Sequence, residues 1–136
     1  MISTKGRYAL RFLVALSRKE KGYASIHEIA EEENISAKYL EKIVHTLTQN
    51  RIIESHRGKE GGYRLTGDTS SILVSDILIM MEDKLAPVEC ICDESETCHK
   101  RDTCRTRPMW EALYKKTMDF LSSVTLENLR TGDFSF

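Results

Sequence analysis

NISAKYLEKIVHTLTQNRIIESHRGKEGGYRL, residues 34–65, compresses a turn, an amphipathic helix and a glycine-centred hairpin into one short stretch. Asn34, Ile35 and Ser36 make a tight break, and Ser36 is a good N-cap. Leu40, Ile43, Val44 and Leu47 then recur on one face of a helix that Asn50 can stop. Ile52-Ile53-Glu54-Ser55-His56-Arg57 reads as a short strand, Tyr63-Arg64-Leu65 as its partner, and Gly58, Gly61 and Gly62 as the turn between them. Just upstream, Ser25-Ile26-His27-Glu28 has the capping-box form and opens a short helix over residues 26–33. A helix, a three-residue turn, a second helix and a basic glycine hairpin are the outline of a winged helix-turn-helix, whose second motif helix lies in the DNA major groove.

The outward face of that helix carries Lys38, Glu41, Lys42, His45 and Gln49, with Ser36 and Tyr39 at its start placed to reach phosphates or base edges. In the hairpin, Arg57 and Lys59 flank Gly58, and with Gly61 and Gly62 these glycines let the backbone approach a sugar-phosphate chain; an arginine there can enter a narrow minor groove. The same pattern also describes a three-helix core with an ordinary solvated face, and it is the glycine wing that favours DNA. Charge leans the same way. Through Leu65 twelve Lys and Arg stand against eight Asp and Glu, whereas from Thr66 onward thirteen acidic residues stand against eight basic ones, so the N-terminal half is the one suited to a polyanion.

Working outward, Ser3 or Thr4 can cap a first helix over residues 4–19, with Ala9, Phe12, Leu13 and Leu16 on its core face. Beyond the hairpin, residues 70–74 suggest a short strand, and Ser75 a cap for a helix to about Asp83. Pro108 marks the start of a long helix to about Val124. It shows Leu113, Thr117, Phe120, Leu121 and Val124 on one side, widened by Trp110, Tyr114 and Met118. So apolar a helix on a small DNA reader points to a two-fold dimer, although it can also pack on its own domain. Thr125 can cap a last short helix. No apolar run reaches membrane-spanning length and no signal peptide is visible, so the expected location is the cytoplasm.

All four cysteines fall within residues 90–104, in CICDESETCHKRDTC. In a reducing compartment such clustering favours metal ligation or redox switching over structural disulfides. Cys92, Cys98 and Cys104 are five residues apart each time, a spacing that fits neither helix nor strand, so they converge only if the loop folds around something. Thiolates favour iron–sulfur clusters and zinc, and Lys100, Arg101 and Arg105 would help keep them deprotonated. A cluster leads zinc, and a metal-free thiol switch stands behind both. There is no catalytic constellation, so an enzyme is not expected.

Thr4-Lys5-Gly6-Arg7-Tyr8-Ala9, Ile35-Ser36 through Tyr39-Leu40-Glu41, Arg57-Gly58 with Gly61-Gly62-Tyr63, and the Cys-x5-Cys-x5-Cys run before a Trp-bearing helix together resemble the IscR-type family of iron–sulfur cluster regulators, to about Leu129. The resemblance implies a mainly α protein: a winged helix-turn-helix DNA-binding domain (residues 1–83), a cluster-binding loop (84–107) and a long C-terminal dimerisation helix region (108–130). It implies a homodimeric regulator of a double-stranded operator, expected to repress. Its iron–sulfur cluster, 2Fe-2S ahead of 4Fe-4S, would sense cluster or iron status, redox or nitric oxide, with cluster-assembly proteins as donors. By matching positions, Cys92, Cys98 and Cys104 are the thiolate ligands, Ser36, Tyr39 and Glu41 lie on the reading helix, and Arg57 is the wing arginine. One position departs, because Arg107 stands where the family places a histidine, and an arginine cannot ligate. Cys90, which an extended backbone would aim to the same side as Cys92, is the first candidate for a fourth ligand, His99 the second, and a residue of a partner chain a third. A zinc-stabilised or thiol-redox winged-helix regulator is the alternative, with a small electron-transfer protein behind it.

Overall fold

The computed structural model describes residues 1–58, 61–92 and 98–135, and Cys92 by its backbone only. Helix α1 (Thr4–Ser17) is capped by Ser3, whose hydroxyl accepts from the Gly6 amide at 3.2 Å. It buries Ala9, Phe12, Leu13 and Leu16 at the centre of the molecule. Around it pack α2 (Ile26–Glu33), α3 (Ala37–Gln49), α4 (Val74–Met81) and α7 (Leu126–Thr131).

The helix-turn-helix follows its sequence signals closely. Ser25 accepts from the Glu28 amide at 3.1 Å, although only half the expected capping box forms, since the Glu28 carboxylate pairs with Lys21 at 3.1 Å and with Lys19 at 3.7 Å instead. Helix α2 ends on Asn34 in the left-handed conformation, φ 52° and ψ 48°, a conformation asparagine tolerates better than most residues. Ile35 then buries its side chain and donates its amide to the Ala30 carbonyl at 3.0 Å, and Ser36 caps α3 by accepting from Tyr39 at 3.2 Å. Leu40, Ile43, Val44 and Leu47 face the core.

The wing is an antiparallel pair, β1 (Ile53–His56) and β2 (Gly62–Leu65), in the register Ile53↔Leu65, Glu54↔Arg64, Ser55↔Tyr63 and His56↔Gly62. Two contacts fix it to the α1–α2 connection. Tyr63 and Ala24 exchange backbone hydrogen bonds of 2.8 and 3.0 Å, and the Tyr23 ring stacks on His56 at 3.9 Å between centroids. A Cβ on Gly62 would overlap the Ala24 carbonyl oxygen and come within 2.8 Å of the Ser25 nitrogen, so the residue there must be glycine for the wing to sit this close.

The C-terminal half departs from the sequence reading in several places. The strand expected over residues 70–74 is a 3-10 turn, Thr69–Ser71, followed by a single bridge between Leu73 and Thr125. Helix α4 begins at Val74 with Leu73 as N-cap and no side-chain cap bond, so Ser75 lies buried inside the helix and does not cap it. Its start is set by distant chain, because the Val74 amide donates to Val124 at 2.9 Å and the Leu126 amide to Ile72 at 2.8 Å. The cysteine segment opens with one helical turn, α5 (Glu89–Cys92). Helix α6 spans Arg107–Leu121, beginning and ending earlier than expected. Its apolar stripe also divides. Leu121, with Val124 beyond the helix, packs on Val74 and Leu78 in a second small core, while Met109, Leu113 and Phe120 stay exposed at 55%, 46% and 47%. No described helix is long and apolar enough to cross a membrane.

Candidate nucleic-acid interface and cysteine loop

Because Leu40, Ile43, Val44 and Leu47 turn inward, Ser36, Lys38, Glu41, Lys42 and His45 are left exposed on the other side of α3. Lys38, Glu41, Lys42 and His45 line one open surface groove, and Glu41 and His45 also border a second that reaches Ser55 and Tyr63 of the wing. Tyr39 is half-buried, its ring edge-to-face with Tyr8 of α1 at 5.5 Å. Arg57 and Gly58 follow β1 and Gly61 precedes β2, all three exposed, and Gly62 pairs with His56 at the loop end of the strands. Lys59 lies outside the described residues.

Sequence reasoning passed over one neighbour of this surface. Lys5 lines the same groove as Lys38 and Lys42, because the Tyr8–Tyr39 contact lays the first turns of α1 beside the first turn of α3. The residue was visible inside Thr4-Lys5-Gly6-Arg7-Tyr8-Ala9, but only the packing of two distant helices makes it part of the basic face. Lys5, Lys38 and Lys42 around one carboxylate, Glu41, form a surface suited to a phosphate backbone.

The cysteine loop holds free thiols: Cys90, Cys98 and Cys104 are unbridged and half-buried, and the Cys92 side chain lies outside the described residues. The backbone of residues 90–92 is a helical turn and not extended, which removes the alternation argument for placing the Cys90 sulfur beside that of Cys92. His99 is exposed in a turn. The Thr106 hydroxyl, 3.3 Å from the Cys104 sulfur, and the Thr106 and Arg107 backbone hold that thiol below its ordinary pKa. Arg107 points away from any ligand role, donating to Glu111 at 2.6 Å and to the Cys90 carbonyl at 3.0 Å. Among the described residues no three His, Cys, Asp or Glu side chains gather as a metal group. By donor type, however, a set of accessible thiols, one of them held toward thiolate, fits a soft metal or an iron–sulfur cluster.

A family model described as "Rrf2: Iron-dependent Transcriptional regulator" matches residues 2–131. Among curated relatives, the transcriptional regulator CymR of Bacillus subtilis is 35% identical, covering 94% of this chain and 88% of its own. The transcriptional regulator IscR of Photorhabdus laumondii is 32% identical, over 94% of this chain and 77% of its own. Among solved structures, CymR, "the Global Cysteine Regulator of B. subtilis", superposes with a TM-score of 0.80 at 31% identity, covering 98% of each chain. IscR of T. potens superposes at 0.78 and 28% identity, over 97% of this chain and 87% of its own. These relatives are transcriptional regulators and not enzymes. With its winged helix-turn-helix and a family match along nearly its whole length, the chain belongs to the Rrf2 family of transcriptional regulators.

Proposed function

We propose that this regulator binds an operator as a homodimer and that an iron–sulfur cluster in the cysteine loop sets its operator affinity, with repression as the expected action. The observation that carries the reading is the presence, in one chain, of a reading helix beside a wing and of a separate loop whose donors are soft thiols. On the DNA side, Ser36, Tyr39, Glu41 and His45 address base edges, with Lys5, Lys38 and Lys42 on phosphates and Arg57, Gly58, Lys59, Gly61 and Gly62 forming the wing contact. Glu41 is repelled by phosphates but can accept from a cytosine amino group, so it selects sequence at the expense of affinity.

In the loop, Cys92, Cys98 and Cys104 would hold the cluster, with Cys90 ahead of His99 for the remaining position. When bound, the group supplies a redox- and iron-responsive charge and shape in this loop. The type expected is 2Fe-2S ahead of 4Fe-4S, with zinc as the alternative metal and cluster-assembly proteins as donors. The exposed Met109, Leu113 and Phe120 support the dimer, since they lie along one face of α6.

Anaerobic purification tests this directly. A brown protein with stoichiometric iron and acid-labile sulfide, binding DNA with a steep salt dependence, is the expected result. Zinc in place of iron and sulfide would remove the cluster from the reading. A second reading, a thiol-redox regulator without a cluster, is favoured by the half-exposed Cys104, held toward thiolate, and by the likeness to a cysteine regulator. It requires a metal-free protein whose operator affinity changes on thiol oxidation.

A further inference from the structure

Residues 90 and 107 meet across the neck of the cysteine loop. Arg107 opens α6, its side chain is only 16% exposed, and its guanidinium is engaged twice. Nε donates to the Glu111 carboxylate at 2.6 Å, one turn along, and a terminal nitrogen donates to the Cys90 carbonyl at 3.0 Å. That carbonyl belongs to α5, a single helical turn. One turn makes too few internal hydrogen bonds to persist alone, so α5 depends on its packing against α6. At the other end of the loop Cys104 stands three residues before Arg107, its sulfur beside the Thr106 hydroxyl.

We propose that Arg107 is the positioning residue of the cysteine loop, pinning the turn that carries Cys90 to the start of α6 near Cys104. The first and last cysteines of the loop are thereby kept at one end. A guanidinium stays protonated and offers no lone pair, so Arg107 contributes placement and positive charge and no ligation. Glu111 is its anchor: with one N–H of the rigid planar fork on Glu111, another is aimed at the Cys90 carbonyl. Lysine, a point charge on a flexible stem, could make one of these contacts well but not hold both in a fixed geometry.

Two readouts on the full-length chain test this, and only the second rests on the proposed cluster. The first is a brief anaerobic pulse of iodoacetamide on the reduced, metal-free protein, with each cysteine quantified by mass spectrometry. Arg107→Gln should raise the Cys90 rate at least threefold relative to Cys98 in the same sample, Glu111→Gln should raise it less, and Arg107→Lys should restore part of the protection. A Cys90 to Cys98 ratio unchanged by Arg107→Gln overturns the positioning role, and so does a rise of both rates together, which would mean general loosening. The second readout follows anaerobic loading with ferrous iron and sulfide. The visible absorption of Arg107→Gln should then decay at least threefold faster under EDTA than that of the wild type, with partial rescue by lysine; an equal decay overturns the proposal for the loaded state. If the wild-type chain takes up no iron and sulfide, the cluster reading fails and the alkylation ratio alone decides the role of Arg107.

Discussion

At the scale of single residues, the proposed DNA reading rests on Arg57 of the wing and Lys5 of α1. Arg57 offers a guanidinium from the wing, and its replacement by alanine should weaken operator binding by about 1–3 kcal/mol in a titration at fixed salt. Lys5 lines the groove of Lys38 and Lys42 from a different helix, and in the proposed reading it meets a phosphate. Lys5→Ala should lower affinity on all sequences alike and flatten the dependence of log K on log salt by roughly one unit per protomer. A loss confined to one operator sequence would place Lys5 on bases instead. Gly62 acts on stability before it acts on DNA. Its alanine variant must push Cβ against the Ala24 carbonyl and the Ser25 amide, backbone groups that cannot swing aside, and should cost about 1–3 kcal/mol in denaturant unfolding; a variant as stable as wild type would show that the wing can detach freely. Gly62 was legible in the sequence as a turn residue, but its reason was not, since the neighbour that demands it lies almost forty positions away, a separation on the order of what only a folded chain can bring together.

Among the elements, those whose limits are set by their own residues were readable, and those set by distant chain were not. Helices α2 and α3 start on Ser25 and Ser36 because a hydroxyl satisfies a free amide there. Helix α4 starts at Val74 because Val124 and Leu126 pair with residues 72–74, and no local signal announces that. Helix α6 was recognisable from Pro108 and its apolar spacing, yet the division of its stripe between inside and outside appears only once α4 is in place. Two variants exploit that division. Leu121→Ala opens a cavity in the small core and should lower stability by about 2 kcal/mol or more, whereas Leu113→Asp should leave the melting of each chain largely intact and give monomers by light scattering. A soluble Leu113→Asp dimer would remove this face of α6 from the interface. Helix α7 supplies a pH test. The Arg130 guanidinium and then the Thr69 hydroxyl hold the Glu127 carboxyl down to about 2, below its ordinary value, so the group stabilises the fold above its unfolded pKa and loses that contribution as pH falls toward its folded one. The stability difference between wild type and Glu127→Gln should therefore be constant above about pH 5 and shrink between about pH 4.5 and 2. A difference that persists at pH 2 would assign Glu127 a role other than its charge.

At the scale of the whole molecule, the cysteine loop and the DNA face are joined by packed structure. The loop follows α4, and Glu82 at the end of α4 accepts from the Ser3 amide at 2.7 Å and the Ser3 hydroxyl at 2.8 Å, gripping the start of α1 two residues from Lys5. The helix-turn-helix and wing could be read largely from residues 25–65 because their caps, apolar spacing and glycines are local. The loop could be read only as chemistry: four thiols in fifteen positions declare a soft donor set, but neither the helical turn at Cys90 nor the clamp at Arg107 has a sequence period to reveal it. The claim that unites the two halves is control of DNA binding by a cluster in that loop. Its most direct test is an anaerobic operator titration of the full-length chain before and after removal of the cluster, with iron and acid-labile sulfide measured on the same samples. Iron and sulfide in the first sample and at least a tenfold change in operator affinity between the two are the expected result; equal affinities from samples that differ in iron and sulfide would contradict it.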